Sequence, residues 1–373
     1  MRSPQRFGHF RQLDGLRGIS ILLVLLGHSL HFSLHLPGPW EALGGVGVML
    51  FFVLSGFLIT GLLCREEMDF GCIDVIGFYR NRALRIFPAY YFLLLLTAVM
   101  VSIGAVGDMP WYTIPVCMLY VRNIFGRGDA LTHTWTLSLE QQFYTIWPLF
   151  FRRLGSQALF GWSAISIAVI TLWRTVAVVL QFWNWDTGRY YVRPDFRFDS
   201  ILAGCWIALL LYRKRDPKTI LENIAVSPML QKRIRVFVRI ANAAWVFPAL
   251  IAWTLLAEDR IALRPVFVTV QMTLATLLLL NLVIVRDSVA GNWLSCRWLK
   301  VFGRLSYSIY LWQQLFVVVK KPDWGWIRIF PFDVLSACLA GALSFWLIEQ
   351  PFLKWKARMR RHSLSGNAPV GWI

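Results

Sequence analysis

Two ionisable residues, Arg17 and His28, lie in a membrane-length apolar run at residues 13–34. Charged and titratable side chains are costly in hydrocarbon, and where they occur they mark functional sites. Their spacing of eleven residues is about three helical turns, so they share a face about 16 Å apart along the axis. A cation near one membrane surface and an imidazole beyond the midplane suit a long polar ligand lying along the helix. His28 has the chemistry of a general base. Glu140 sits seven residues beyond His133, where a later apolar run opens. On that count Glu140 shares the depth of His28 and would orient the ring and stabilise its cationic form. It reads equally as an ion-pair partner of Arg174. Arg82 and Arg85 precede the third apolar run on the side of Arg17. Arginine binds phosphate bidentately, so Arg17, Arg82 and Arg85 form a candidate anion cluster. Loop arginines also serve as positive-inside anchors.

Further polar residues lie in or beside apolar runs. The pair Ser55-Gly56 falls at mid-membrane. It reads as a kink, as close backbone approach of a ligand, or as tight helix packing. No Gly-x-Ser-x-Gly elbow surrounds Ser55, so it is not read as a nucleophile. Arg197 and Asp199 open the sixth run, and Tyr307, Trp312 and Gln313 lie in the ninth. Aromatics with a few polar groups can hold a sugar, although Trp and Tyr are also ordinary interface anchors. Glu349 is expected to pair with the basic tail. His31 and His35 follow His28 at helical spacing, but no carboxylate or cysteine stands at ligand spacing beside them, and no metal is expected. The six cysteines form no CxxC pair and read as small buried hydrophobes.

Those residues must be held by helices. Apolar residues make up 57% of the chain and charged ones only 16%, where a soluble globular chain has nearer 25% charged. Ten apolar runs are legible, at 13–34, 44–63, 87–106, 133–151, 158–180, 198–212, 238–257, 266–285, 303–319 and 330–352. The expected fold is an all-α polytopic membrane protein, a bundle of about ten transmembrane helices. The stretch 111–121 is too short to span and is expected to be re-entrant or interfacial. The net charge of +18 is confined mainly to connecting segments, which excludes nucleic acid binding and points to membrane topology. With the N-terminus inside, Lys and Arg number 24 on the inner side and 9 on the outer. Both termini are therefore expected in the cytoplasm. The expected organisation is a short N-terminal segment at 1–12, a transmembrane domain at 13–352 and a basic tail at 353–373. No cleavable signal peptide is visible.

Arg17 and His28, the tract Gly44–Thr60, Arg82-Ala83-Leu84-Arg85, and the tract His133–Pro148 containing Trp135-Thr136-Leu137-Ser138-Leu139-Glu140 resemble, in this order, the motifs of the membrane acyltransferase 3 family. Phe302–Gln313 and Glu349-Gln350-Pro351 extend the resemblance over nearly the whole chain. It implies a stand-alone O-acyltransferase of a bacterial-type cytoplasmic (inner) membrane. Such an enzyme moves an acyl group, most often acetyl, from cytoplasmic acetyl-CoA or another acyl-CoA to a hydroxyl of a lipid-linked or cell-envelope glycan. The implied partners are acyl-CoA, a glycan acceptor and membrane lipids, with no bound cofactor. Arg17, Arg82 and Arg85 would hold the coenzyme A phosphates, with His28 and Glu140 as catalytic residues. Ser55, Gly56, Arg197, Asp199, Tyr307 and Gln313 are the further candidates for substrate contact. Two positions depart from the family pattern: Gln141, where many members carry a second acid, and Gln313, where many carry His. The rival class is a transporter or flippase of an anionic lipid-linked sugar, for which the same polar residues would form a relay. Against it, no paired broken helices are visible in inverted halves.

Overall fold

The computed structural model describes residues 11–36, 39–107, 109–125, 130–182, 192–212, 243–257, 260–285, 289–319 and 325–365. The basic loop at 213–237, residues 1–10 of the N-terminal segment and the end of the basic tail lie outside them. The described residues form α1 (Arg11–His28), α2 (Glu41–Phe70), α3 (Val75–Ser102), the short α4 (Thr113–Met118) and α5 (Thr134–Val179). Then follow α6 (Pro194–Tyr212), α7 (Ala243–Ala257), α8 (Arg264–Ile284), α9 (Val289–Leu294), α10 (Arg297–Gln313), α11 (Phe332–Ser344) and α12 (Gln350–Ser365). There is no strand among them.

Among the described residues the ten apolar runs fall largely in helices. Six helical stretches among the described residues are long and apolar enough to cross a membrane. They begin at Arg11, Glu41, Val75, Thr134, Ile261 and Phe332, and Trp245–Ala257 is a shorter apolar helix. The runs at 133–151 and 158–180 both lie in α5, which bends at Gly155, φ 71°. Glu67 accepts from the Ser156 N–H at 3.2 Å there, capping the helix that restarts after the bend. α6 carries Asp195, Arg197 and Asp199, and α10 with its following turn carries Arg304, Gln313 and Gln314. Those polar residues lower their apolar character. The stretch at 111–121 folds as α4 and turns, with Tyr90 donating to the Cys117 carbonyl at 2.9 Å.

Glycine seams set the packing. In membranes small residues let helix backbones approach closely. A Cβ on Gly56 would lie 1.9 Å from the Ile201 carbonyl oxygen, and one on Gly204 would lie 1.9 Å from that of Val53. These two positions press α2 against α6. Gly18 against Leu299, and Gly303 against Asp14, do the same for α1 and α10. α1 and α2 are therefore clamped between α10 and α6.

Three helices open into π-turns, at Ser29–Ser33, Gln314–Val318 and Phe345–Glu349. Such turns are frequent at functional sites. The first two pack against each other at one end of the α1–α10 seam. Asp333, at the start of α11, accepts from Ser29 and Ser33 at 2.5 Å each, tying both ends of the first turn.

Candidate active site

A cavity of about 820 Å³, its open mouth included, lies among α1, α2, α3, α5 and α10. Arg17, Arg82, Arg85, Glu140, Tyr144 and Tyr307 line it, with Phe51, Ser55 and Tyr310 among the others. The three guanidinium groups are within electrostatic reach of one another. They come from two helices, since Asp74 caps α3 by accepting from the Gly77 N–H at 2.9 Å and so starts the turn that carries Arg82 and Arg85. Arg82 stacks on the Tyr144 ring at 4.1 Å. Glu140 is the one acid in the lining. Like charges at a cavity of low dielectric repel, so the three guanidinium groups favour an anion among them.

Glu140 accepts from Ser55 at 2.6 Å and lies within reach of Arg82 and Arg17. His28 is elsewhere. Its Nδ1 donates to Gln313 Oε1 at 2.9 Å. A Cβ on Gly44 would lie 3.2 Å from His28 Nε2. The ring therefore stands at the level of Gly44, whereas Glu140 stands at Ser55, eleven residues along α2 and about 16 Å away axially. The equal depth expected of His28 and Glu140 fails, and Gln313 rather than Glu140 holds the imidazole. The cause is where α5 begins. Tyr120, Arg122, Leu131 and His133 are buried, so the chain dips inward before the helix opens. His133 lies within reach of His28 and is fastened to the Leu311 carbonyl at 3.1 Å. Glu140 is two turns deeper.

His28 does not line the cavity, yet its neighbours do so one turn on. Gly44 faces the ring, and Val48, four residues later on α2, lines the cavity. Gln313 holds the ring, and Tyr310, three residues earlier on α10, lines the cavity. The Thr136 hydroxyl donates to Tyr310 Oη at 2.8 Å, joining α5 to α10 between the two levels.

The other expected contacts divide. Tyr307 lines the cavity, and its phenol donates to the Ile86 carbonyl at 2.7 Å. Gly56 faces α6, so close packing is its role. Asp199 pairs with Arg174 at 2.6 Å, both buried, which removes Arg174 as a partner for Glu140. Arg197 is buried against the Phe52 ring at 5.6 Å and does not itself line the cavity, although Phe52 does. Glu349 is turned inward by its π-turn and accepts from Ser308 within reach of Arg85, instead of meeting the basic tail. His31 pairs with Glu41 at 3.8 Å on the exposed side. Among the described residues no group of three metal-ligating side chains comes together.

The family profile described as an acyltransferase domain matches residues 10–350. The chain belongs to the acyltransferase 3 family. Over 369 residues it is 27% identical to the O-acetyltransferase OatA of Staphylococcus aureus, covering 92% of this chain and 57% of that protein. YrhL of Bacillus subtilis, named a candidate peptidoglycan O-acetyltransferase, is 29% identical over 366 residues, 91% of this chain and 54% of the relative. The chain thus spans a little over half the length of these curated relatives. No solved structure matches it. Its six apolar helices and its family make it a multi-pass membrane protein.

Proposed function

We propose that this protein is a membrane O-acyltransferase that moves an acetyl group from cytoplasmic acetyl-CoA to a hydroxyl of a cell-envelope glycan. One observation carries the reading: three arginines converge on a cavity that ends about one helical turn from a fixed imidazole on the same face of α1. Arg17, Arg82 and Arg85 bind the coenzyme A phosphates, and Glu140, held by Ser55, spaces the guanidinium groups. The pantetheine arm runs along α1 past Tyr310 to His28. An amide oxygen only accepts, so His28 Nδ1 carries the proton and Nε2 keeps its lone pair. Nε2 takes the proton of the acceptor hydroxyl as its oxygen attacks the thioester carbonyl. The carbon–sulfur bond breaks, the ester forms, and the imidazolium returns the proton to the coenzyme A thiolate. The relatives' names support acetyl as the acyl group and peptidoglycan as the acceptor class. The placement of both termini in the cytoplasm belongs to this reading and rests on the basic asymmetry of the loops.

The purified protein, given acetyl-CoA and a lipid-linked or polymeric envelope glycan, is expected to release free thiol and to add one acetyl mass per modified sugar. Binding or movement of the glycan without thiol release would make it a carrier and end the enzymatic reading.

A further inference from the structure

We propose that Gln313 is the positioning residue of the transfer site: its side-chain oxygen fixes which nitrogen of His28 is free to act as base. The proposal rests on the acyltransferase reading above and names what holds its base. Gln313 is 0% exposed. Among the described residues it is the ring's one hydrogen-bond partner, at 2.9 Å. Its own amide nitrogen is buried with no partner there. A buried amide with half its hydrogen-bonding capacity unused destabilises the fold. An apolar residue of similar volume would pack at this position at no such cost. What the amide supplies in return is the acceptor for Nδ1–H.

The backbone around the pair is built for fixity. His28 is the last residue of α1 before the π-turn Ser29–Ser33, and Gln313 is the last of α10 before the π-turn Gln314–Val318. The two turns pack together, and Asp333 ties both ends of the first. On the other edge of the ring, Gly44 leaves Nε2 a gap that a Cβ, 3.2 Å away, would crowd. With Nδ1 held by Gln313, Nε2 is directed at that gap. The charged and titratable groups facing the ring are Glu41 and His31, His133 at the head of α5, and Asp333 through the serines. None of these is hydrogen-bonded to it. The tautomer is therefore set by a neutral group, and the base is oriented without a carboxylate.

Gln313→Met keeps the volume and removes the acceptor. The expected result is a kcat lower by about 10- to 100-fold, as for loss of a group that orients another, with the acetyl-CoA KM unchanged. The variant should melt at the same temperature as the parent or higher. Gln313→Glu and Gln313→His, which keep an acceptor at the site, should recover part of kcat. Parental kcat in Gln313→Met, or a matching fall in melting temperature with no recovery in Gln313→Glu or Gln313→His, would overturn the proposal. His28→Ala in the same series separates the two layers. Transfer that survives His28→Ala defeats the reading of His28 as base. Transfer lost in His28→Ala but intact in Gln313→Met defeats only the role given to Gln313.

Discussion

Two polar clusters sit inside this helical bundle, and they are built in opposite ways. Around Arg174 both terminal guanidinium nitrogens have partners. One guanidinium nitrogen donates to Asp199 and to the Phe196 carbonyl at 2.6 Å each, and the other to Thr269 at 2.8 Å. Charge is balanced, both ions are buried, and three helices are joined. Around Arg17, Arg82 and Arg85 only Glu140 among the nearby carboxylates lines the cavity, while Asp14 and Glu349 lie within electrostatic reach outside the lining. Three cations and one carboxylate line an open cavity. Intramembrane charge is costly in both places. In the first it is answered inside the chain, which is a structural solution. In the second an open cavity leaves room for an anion to enter.

The comparison predicts where stability is lost. Removing one partner of a buried ion pair costs about 3–5 kcal/mol, because the other is left charged and unpaired. Arg174→Leu should therefore sharply lower the melting temperature in detergent, while Arg174→Met combined with Asp199→Leu should recover most of it. Arg82→Leu should cost less, since relief of repulsion from Arg17 and Arg85 offsets the lost contacts with Glu140 and Tyr144. Equal destabilisation by Arg174→Leu and Arg82→Leu would erase the distinction.

Activity should sort the other way. General-base catalysis contributes about 10²- to 10⁴-fold. His28→Ala is expected to lose transfer by that factor while inserting, folding and binding coenzyme A as before. Arg82→Ala should mainly raise the acetyl-CoA KM, with a smaller effect on kcat. Arg82→Lys should restore it only in part, because an ammonium group lacks the planar fork. Coenzyme A binding by Arg82→Ala and Arg85→Ala together, measured by calorimetry and found unchanged, would reduce both to topology anchors.

How much of this was legible in the sequence depends on whether local periodicity or tertiary packing decides. The arginine cluster was legible, because helix periodicity puts Arg17 on a defined face and the span order puts Arg82 and Arg85 on its side. The packing role of Gly56 lay among its readings, which only the crossing with α6 could separate. The depth of Glu140 was misread, because counting from His133 assumed a helix that starts at the membrane surface. Buried Tyr120, Arg122, Leu131 and His133 mark a chain that turns inward first, and apolarity alone does not report that. The pairing of His28 with Gln313 links residues 285 positions apart. Its trace in the sequence is the unusual Gln313-Gln314 pair in an apolar run. The π-turns left no trace that periodicity could find, although Asp333 inside the last apolar run was a polar residue in need of partners.

The smallest effect tests the most specific part of the contrast. Ser55 donates to Glu140 at 2.6 Å inside the open cluster. Ser55→Ala deletes one hydrogen bond to a charged group, a loss of about 1.5–3 kcal/mol at most for a well-enclosed pair. Less is expected here, since the cavity mouth admits solvent. Freed from Ser55, the carboxylate can swing toward Arg82 and Arg17 and neutralise part of the field that attracts phosphate. The acetyl-CoA KM should then rise by a few fold with kcat nearly unchanged, and the shift should shrink as salt is added, because screening weakens the arginines' attraction in parent and variant alike. A kinetic comparison of parent and Ser55→Ala at two ionic strengths reads all three quantities. If Ser55→Ala instead abolished transfer as fully as His28→Ala, the hydroxyl would be an acyl acceptor in its own right. The open cluster would then be the place where the thioester is cut, and the imidazole at the far end of α1 would need another role.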